Sequence, residues 1–160
     1  MLDSAGFMEP LRRTNQAVPD CQYLSKGRYN IINRPPTNEE DELLKRLLGV
    51  TSTKVGIFHY ATVQATKFRD ISVEDQTMRE KASIVQINNA ICKIIYFINA
   101  IIGDKNHELA FVECYGNPET SEDSQCKFVL LNTAVNRIFS VTQMSGPLIH
   151  VTDNDKIMFL

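Results

Sequence analysis

The chain has 160 residues, of which 43% are hydrophobic and 22% are charged, as is typical of a single globular domain that needs no metal or disulfide to hold its core. Its 17 lysines and arginines against 19 acidic residues give a formal net charge of -2, so overall charge does not draw it to nucleic acid or to anionic membranes. No uncharged apolar run is long enough to cross a bilayer, and the first six residues lack the basic and apolar regions of a secretory signal. The sequence therefore predicts a soluble cytoplasmic protein, without membrane insertion, whose cysteines stay reduced.

Residues 1–36 predict an extended, irregular N-terminal arm, because they contain Pro10, Pro19, Pro35 and Pro36 and show no hydrophobic period. One short strand is expected in this arm, at 21–24 or at 29–32. The arm either packs along its own domain or reaches a neighbouring subunit, and a loosely ordered terminus is the alternative. Residues 37–160 are predicted to form a single α+β domain.

A short helix is predicted over residues 37–49. Thr37 is suited to be its N-cap, Glu40 completes a capping box, and Gly49 is a natural C-terminal stop. Four leucines of this helix give it an apolar face, which we expect to bind another protein: Leu43, Leu44, Leu47 and Leu48.

Residues 54–69 predict one long strand, since β-branched and aromatic residues are enriched there and apolar groups fall on both alternating faces. The same segment contains His59 and Tyr60, two residues that could take part in chemistry. For His59 the interpretation as a satisfied core histidine is favoured over that as a catalytic base.

A long central helix is predicted over 73–102, with Ser72 as its N-cap and Gly103 as its stop. The evidence is a row of isoleucines at the helical spacing of 3, 4, 3, 4 and 3: Ile84, Ile87, Ile91, Ile94, Ile98 and Ile101. So many β-branched residues are not what helix propensity selects, so burial against a sheet is expected to explain them. A short coiled coil between subunits is the alternative.

The remaining chain predicts an antiparallel meander with strands at 108–115, 126–132, 135–143, 148–152 and 156–160. In the first hairpin we expect Cys114 to lie opposite Cys126, because that register also pairs apolar residues with apolar ones. The predicted fold class is therefore α+β: one long central helix packed on a curved, mainly antiparallel sheet (an α+β roll), preceded by a short helix and an arm.

No motif for nucleotide binding or for a hydrolase nucleophile is present in the sequence. A zinc site built from His107, Cys114, Cys126 and either Cys92 or His150 lacks the close ligand pairs that structural zinc uses. The sequence accordingly predicts no metal, no cofactor and no catalytic residue. If the protein is an enzyme, the residues expected in a pocket between helix and sheet are His59, Tyr60 and Glu80.

Three functions remain open from the sequence. The first is a non-enzymatic assembly protein that forms a homo-oligomer, or binds another protein, through its arm and its leucine face. The second is a nucleic-acid-binding protein that uses Tyr60 and Phe68 for stacking and a basic end of the domain for phosphate contacts: Lys67, Arg69, Arg79 and Lys81. The third is the small α+β-roll enzyme.

Overall fold

The computed structural model describes residues 21–73, 82–122 and 125–159, and within these ranges the chain consists mainly of β-strands. One helix, α1 (Asn38–Leu48), and two 3₁₀ turns, Leu131–Thr133 and Val141–Gln143, interrupt the strands, and residues 71–73 are also helical. The strands are β1 (Leu24–Ser25), β2 (Ile32–Arg34), β3 (Val55–Phe58), β4 (Tyr60–Val63), β5 (Thr66–Arg69), β6 (Ile84–Ile87), β7 (Ala90–Ile102), β8 (Lys105–Cys114), β9 (Glu119–Thr120), β10 (Lys127–Leu130), β11 (Val135–Ser140), β12 (Met144–Ser145), β13 (His150–Asp153) and β14 (Lys156–Phe159).

These strands form three sheets in which neighbouring strands are antiparallel. The largest has seven strands, in the order β11-β8-β7-β3-β2, with β6 pairing with β7 and β12 pairing with β6. The 13-residue strand β7 is its centre: one edge pairs with β8, while the other edge pairs with β6 near its start and with β3 near its end. The two smaller sheets are β1-β4-β5 and β13-β14-β10-β9.

The predicted α+β roll is wrong, because no long helix lies within 82–102. This segment is a β-hairpin, in which β6 turns at Asn88–Asn89 and returns as β7. Asn88 adopts a φ of 57°, a left-handed conformation that asparagine tolerates and that tight hairpin turns need. Of the predicted helix 73–102, Val73 is helical among the described residues. Residues 74–81 lie outside the described part of the chain.

The isoleucine spacing has a different cause from a helical stripe. Ile84 and Ile91 pack in one hydrophobic cluster, Ile94 in a second and Ile98 in a third, so they do not share one face. A register irregularity between Ile94 and Tyr96 also changes the alternation along β7. Because cores cover both faces of this central strand, burial no longer follows a period of two.

The predicted strand 54–69 is three strands rather than one. β3 belongs to the seven-stranded sheet, whereas β4 and β5 form a hairpin in the three-stranded sheet, so the chain changes sheet at His59. The hairpin turns at Gln64 and Ala65, which have φ values of 50° and 68°. All four residues of β3 are buried, which explains the apolar groups on both of its faces.

In the C-terminal half, strands occur near each predicted position, but the first predicted hairpin is wrong. Cys114 of β8 lies opposite Cys92 of β7 and Val135 of β11, not opposite Cys126. Strand β10, which follows Cys126, pairs instead with β9 and β14 in the four-stranded sheet. The polar loop after Cys114 therefore carries the chain from one sheet to another.

The short helix is confirmed. Thr37 caps α1, the capping box with Glu40 is present, and Gly49 ends the helix in a left-handed conformation with a φ of 78°. Within the predicted arm, the described residues form β1 and β2, each paired antiparallel, and residues 1–20 lie outside the described part. Within the described ranges no helix is long and apolar enough to cross a membrane.

Candidate functional site

The predicted leucine face of α1 is divided by the fold. Leu43 and Leu44 are buried in the cluster that also contains Phe111 and Ile138, so they hold the helix on the sheet. Leu48 is half-buried against the same cluster, and Leu47 is 41% exposed. Of the four predicted interaction residues, Leu47 is therefore the one that offers most of its side chain to a partner.

Two clefts share Leu47 in their linings. Each has a volume of about 270 Å³, slightly below the roughly 300–1,000 Å³ of typical small-molecule pockets. We name the one beside α1 and β11 the basic cleft, lined by Leu43, Arg46, Leu47, Arg137, Ile138 and Phe139. We name the other the rim cleft, lined by Gln22, Tyr23, Leu47, Leu48, Asn106, His107, Glu108, Leu109 and Ser140.

The rim cleft is bounded by a segment that Glu108 holds in place. The carboxylate of Glu108 accepts hydrogen bonds from the backbone N–H groups of Gln22 at 2.9 Å, Tyr23 at 2.7 Å and Leu24 at 2.9 Å. Three charge-assisted bonds to consecutive residues fix the backbone there more firmly than neutral bonds would. The described chain, which begins at residue 21, is therefore held at the edge of the rim cleft.

Helix α1 is anchored by the buried carboxylate of Glu40. Arg34 donates two hydrogen bonds to it, at 2.7 and 2.8 Å, and Tyr96 and the backbone N–H of Thr37 donate two more. Burial alone would raise the pKa of Glu40, but the hydrogen bonds from Arg34, Tyr96 and Thr37 outweigh it and hold the pKa at about 2. The helix that carries Leu47 is thus fixed at its first turn.

The basic residues predicted for nucleic acid are partly brought together. Lys67 and Arg69 lie on one face of β5, opposite Thr62 and Tyr60 of β4, whereas Arg79 and Lys81 lie outside the described residues. The Lys67 ammonium lies 4.9 Å from the centre of the Tyr60 ring. Phe68 is 2% exposed, so the expectation that it offers a stacking face is wrong.

Arg28 belongs to the same surface, although no sequence pattern predicts that it does. Burial raises the pKa of Tyr60, while the nearby charges of Arg69 and Arg28 act in the opposite direction. The ring of Tyr29 lies 6.2 Å from that of Tyr60, centre to centre. Lys67 contacts the Tyr60 ring, and the charges of Arg69 and Arg28 act on Tyr60. We name this set the basic aromatic surface: Arg28, Tyr29, Tyr60, Lys67 and Arg69.

His59 is held by a carboxylate at the edge of this surface. Its Nδ1 lies 2.6 Å from Oδ2 of Asp70, which is fully buried, and the ring meets Tyr29 edge-on at 5.2 Å. Oδ1 of Asp70 accepts hydrogen bonds from the Ser72 hydroxyl and from the backbone N–H groups of Ser72 and Val73. Asp70, rather than the predicted Ser72, therefore caps the helical residues 71–73.

This arrangement orients the imidazole but does not complete a nucleophilic site. The Ser72 hydroxyl lies 3.3 Å from Nδ1 of His59, the nitrogen that already faces Asp70, so it is not placed for activation by the other nitrogen. Neither cleft beside Leu47 includes His59 or Tyr60 in its lining, and Glu80 lies outside the described residues. A pocket between the predicted long helix and the sheet cannot exist in the predicted form, since that helix is a hairpin.

The zinc site considered from the sequence is not assembled in the described residues, where no three potential ligands among histidine, cysteine, aspartate and glutamate come together. All four cysteines lie in this part of the chain, and no disulfide joins any two of them there. Cys92 and Cys114 are the two members of the predicted set that meet, with their sulfur atoms 2.8 Å apart.

No protein-family model, no curated protein and no solved structure matches this chain. Inference about its function therefore rests on its own residues and on the surfaces that they form.

Proposed function

We propose that the protein is a non-enzymatic assembly protein that forms a homo-oligomer through the surface around Leu47. The observation that carries this proposal concerns Leu47, which is 41% exposed and lines both clefts, on a helix whose other end is fixed by Glu40. A partner that covers Leu47 can place side chains in both clefts, and it then buries apolar surface in each of them. A cytoplasmic location belongs to this proposal, and it is the compartment in which thiols normally stay reduced.

The partner that we propose is a second copy, which contributes residues 1–20. The first described residues that follow this segment include Gln22 and Tyr23, which are part of the lining of the rim cleft. It contains apolar residues such as Phe7, Met8 and Leu11, and acids such as Asp3 and Glu9, which suit the arginines of the basic cleft. Twenty residues span up to about 66 Å when extended, so the segment is long enough to reach a neighbouring subunit.

The test is the mass of the full chain in solution, measured by size-exclusion chromatography with light scattering from low to high micromolar concentration. We expect an oligomer for the wild type, and a shift toward monomer for Leu47→Ser and for a chain without residues 1–20. Val151→Ser is the matched control, because Val151 is 60% exposed on β13 in a different sheet and its loss should leave the mass unchanged. A wild-type monomer at high micromolar concentration, or equal effects of the two serine variants, would contradict the proposal.

A second candidate function is the binding of single-stranded nucleic acid by the basic aromatic surface. The observation that favours it is the grouping of Arg28, Lys67 and Arg69 around Tyr60, while Asp70, the acid beside them, is buried and bonded to His59. Cations beside aromatic rings are the usual means of binding a single strand without sequence preference. The Lys67 side chain now covers the Tyr60 ring, so a base could stack there after the ammonium moves to a phosphate.

Fluorescence anisotropy with a labelled 20-nucleotide oligothymidylate tests this candidate at several salt concentrations. We expect binding that weakens with salt, and Arg28→Glu with Lys67→Glu should reduce both the affinity and the salt dependence. Lys105→Glu is the matched control, because Lys105 is exposed at the start of β8, in another sheet. Binding that is absent at low salt, or that Lys105→Glu weakens equally, would eliminate this candidate.

A further inference from the structure

Cys92 and Cys114 face each other across the two central strands of the largest sheet. They are register partners in the β7–β8 pairing, and their sulfur atoms are 2.8 Å apart. Both side chains belong to the hydrophobic cluster that contains Val85, Val112 and Met144, with exposures of 0% for Cys92 and 7% for Cys114. Neither the assembly surface nor the basic aromatic surface uses this pair.

The backbone geometry at this position suits a covalent bond between the strands. The N–H of Tyr115 donates to the carbonyl of Ile91, so residues 91 and 115 form a hydrogen-bonded pair and the next pair, Cys92 with Cys114, is a non-hydrogen-bonded one. Cα atoms in such pairs lie about 4.5 Å apart, within the roughly 4.4–6.8 Å that disulfides span. The separation typical of such a pair is therefore one that a disulfide can span.

We propose that Cys92 and Cys114 form a redox modification site, at which hydrogen peroxide converts the two thiols into a disulfide across β7 and β8. The reaction needs one thiol to ionise and the other to lie within reach. The hydrogen bond from Cys92 lowers the pKa of Cys114 against the effect of burial, and the charge of Arg137 lowers it further. Cys114, which is also the more exposed of the two, is therefore the thiol that peroxide meets first.

The oxidation proceeds in two steps, first at Cys114 and then at Cys92. The Cys114 thiolate attacks one oxygen, the O–O bond breaks, and the products are a sulfenic acid on Cys114 and a hydroxide that takes up the proton which Cys114 released. The sulfur of Cys92 then attacks the sulfenic sulfur, and the displaced hydroxide leaves as water with the proton of Cys92. Two thiols are oxidised to one disulfide, and one hydrogen peroxide is reduced to two molecules of water.

The test uses the full chain with Cys21→Ser and Cys126→Ser, so that the pair provides the two remaining thiols. The folded protein is treated with hydrogen peroxide at pH 7 together with free glutathione, the excess is removed with catalase, and remaining thiols are alkylated in denaturant before mass spectrometry. We expect a product without alkyl groups, whose intact mass is two hydrogen atoms lower than that of the untreated reduced protein. Digestion should give one cross-linked peptide containing Cys92 and Cys114, and dithiothreitol should reverse the cross-link. Addition of Cys92→Ala should abolish this product, and the sulfenic acid formed on Cys114 should then condense with glutathione to a mixed disulfide, with loss of water.

The fold of the oxidised protein provides an independent readout. A bond that closes the hairpin between residues 92 and 114 should raise the melting temperature by about 5–10 °C. The inference is overturned if both thiols can still be alkylated after the glutathione in the same tube has been oxidised. It is also overturned if the disulfide forms only in denaturant.

Discussion

Replacement of Glu40 by glutamine should lower the free energy of unfolding by about 3 kcal/mol at pH 7. Burial works against the Glu40 carboxylate, but the hydrogen bonds from Arg34, Tyr96 and Thr37 lower its pKa from 4.5 to about 2. At about 1.36 kcal/mol per pH unit, that interval corresponds to about 3 kcal/mol in favour of the charged form in the folded state. The carboxylate is fully buried, so solvent screening does not reduce this contribution appreciably.

The sign of the pH dependence follows from the lowered pKa. The folded protein keeps Glu40 charged where the unfolded chain would protonate it, so the contribution is complete above pH 4.5 and is lost as the pH falls from 4.5 to about 2. The difference in unfolding free energy between wild type and Glu40→Gln should therefore be largest near pH 7 and shrink within that interval. Other carboxylates titrate in both proteins and cancel in the difference.

Urea unfolding followed by circular dichroism at pH 7, 5, 4 and 3 measures this difference. Glu42→Gln is the control, because Glu42 is an exposed acid on the same helix and its replacement should change stability by less than about 0.5 kcal/mol. The reasoning is refuted if Glu40→Gln costs less than about 1 kcal/mol at pH 7, or if its cost is the same at pH 3 as at pH 7.

Two further predictions concern packing. Ile94→Ala should lower the free energy of unfolding by about 2–5 kcal/mol, because Ile94 is 0% exposed. Ile101→Ala should lower it by less than about 1 kcal/mol, because Ile101 is 48% exposed. Equal losses in urea unfolding would contradict the hairpin. Gly27→Ala should destabilise the protein by about 1–3 kcal/mol more than Gly103→Ala. Both glycines have positive φ values, but an added Cβ at Gly27 would lie 2.3 Å from the Tyr60 ring, whereas at Gly103 nothing lies within 4 Å. Thermal melts that rank the two alanine variants in the opposite order would contradict this.

The short helix could be predicted from the sequence because its determinants are local. Thr37, Glu40 and Gly49 act within a few residues of themselves, and the structure shows the capping box and the left-handed stop that they predict. The leucine face was predicted less well. Which of the four leucines enters the core depends on where β11 and β3 pack, and the spacing within the helix does not contain that information.

The long helix was predicted wrongly because periodicity was given more weight than composition. A strand whose two faces are both buried carries apolar residues at nearly every position, and a 3-4 spacing can then be picked out of it. Two local signals favoured the hairpin: the concentration of β-branched residues, and the Asn88–Asn89 dipeptide between two apolar runs.

The candidate site depends mostly on distant contacts. The sequence singles out His59 but not its partner Asp70. The two residues meet because the chain changes sheet at residue 59 and returns through β5. Lys67 and Arg69 were predicted from their position at the end of a strand, and their common face with Tyr60 depends on the β4–β5 register. Arg28 lies in the segment predicted to be irregular, where no periodic pattern was available to relate it to the others.

The placement of β7 has a consequence for how the protein folds. β7 and β8 are joined by a two-residue turn at Gly103–Asp104, so their pairing closes a short loop and is expected early. β3 pairs with the end of β7 although about 40 residues separate them, so this pairing must wait until a much longer loop has closed. Until then the edge of β7 that β3 will occupy is exposed, and transient intermolecular pairing at that edge would make refolding yields fall as protein concentration rises.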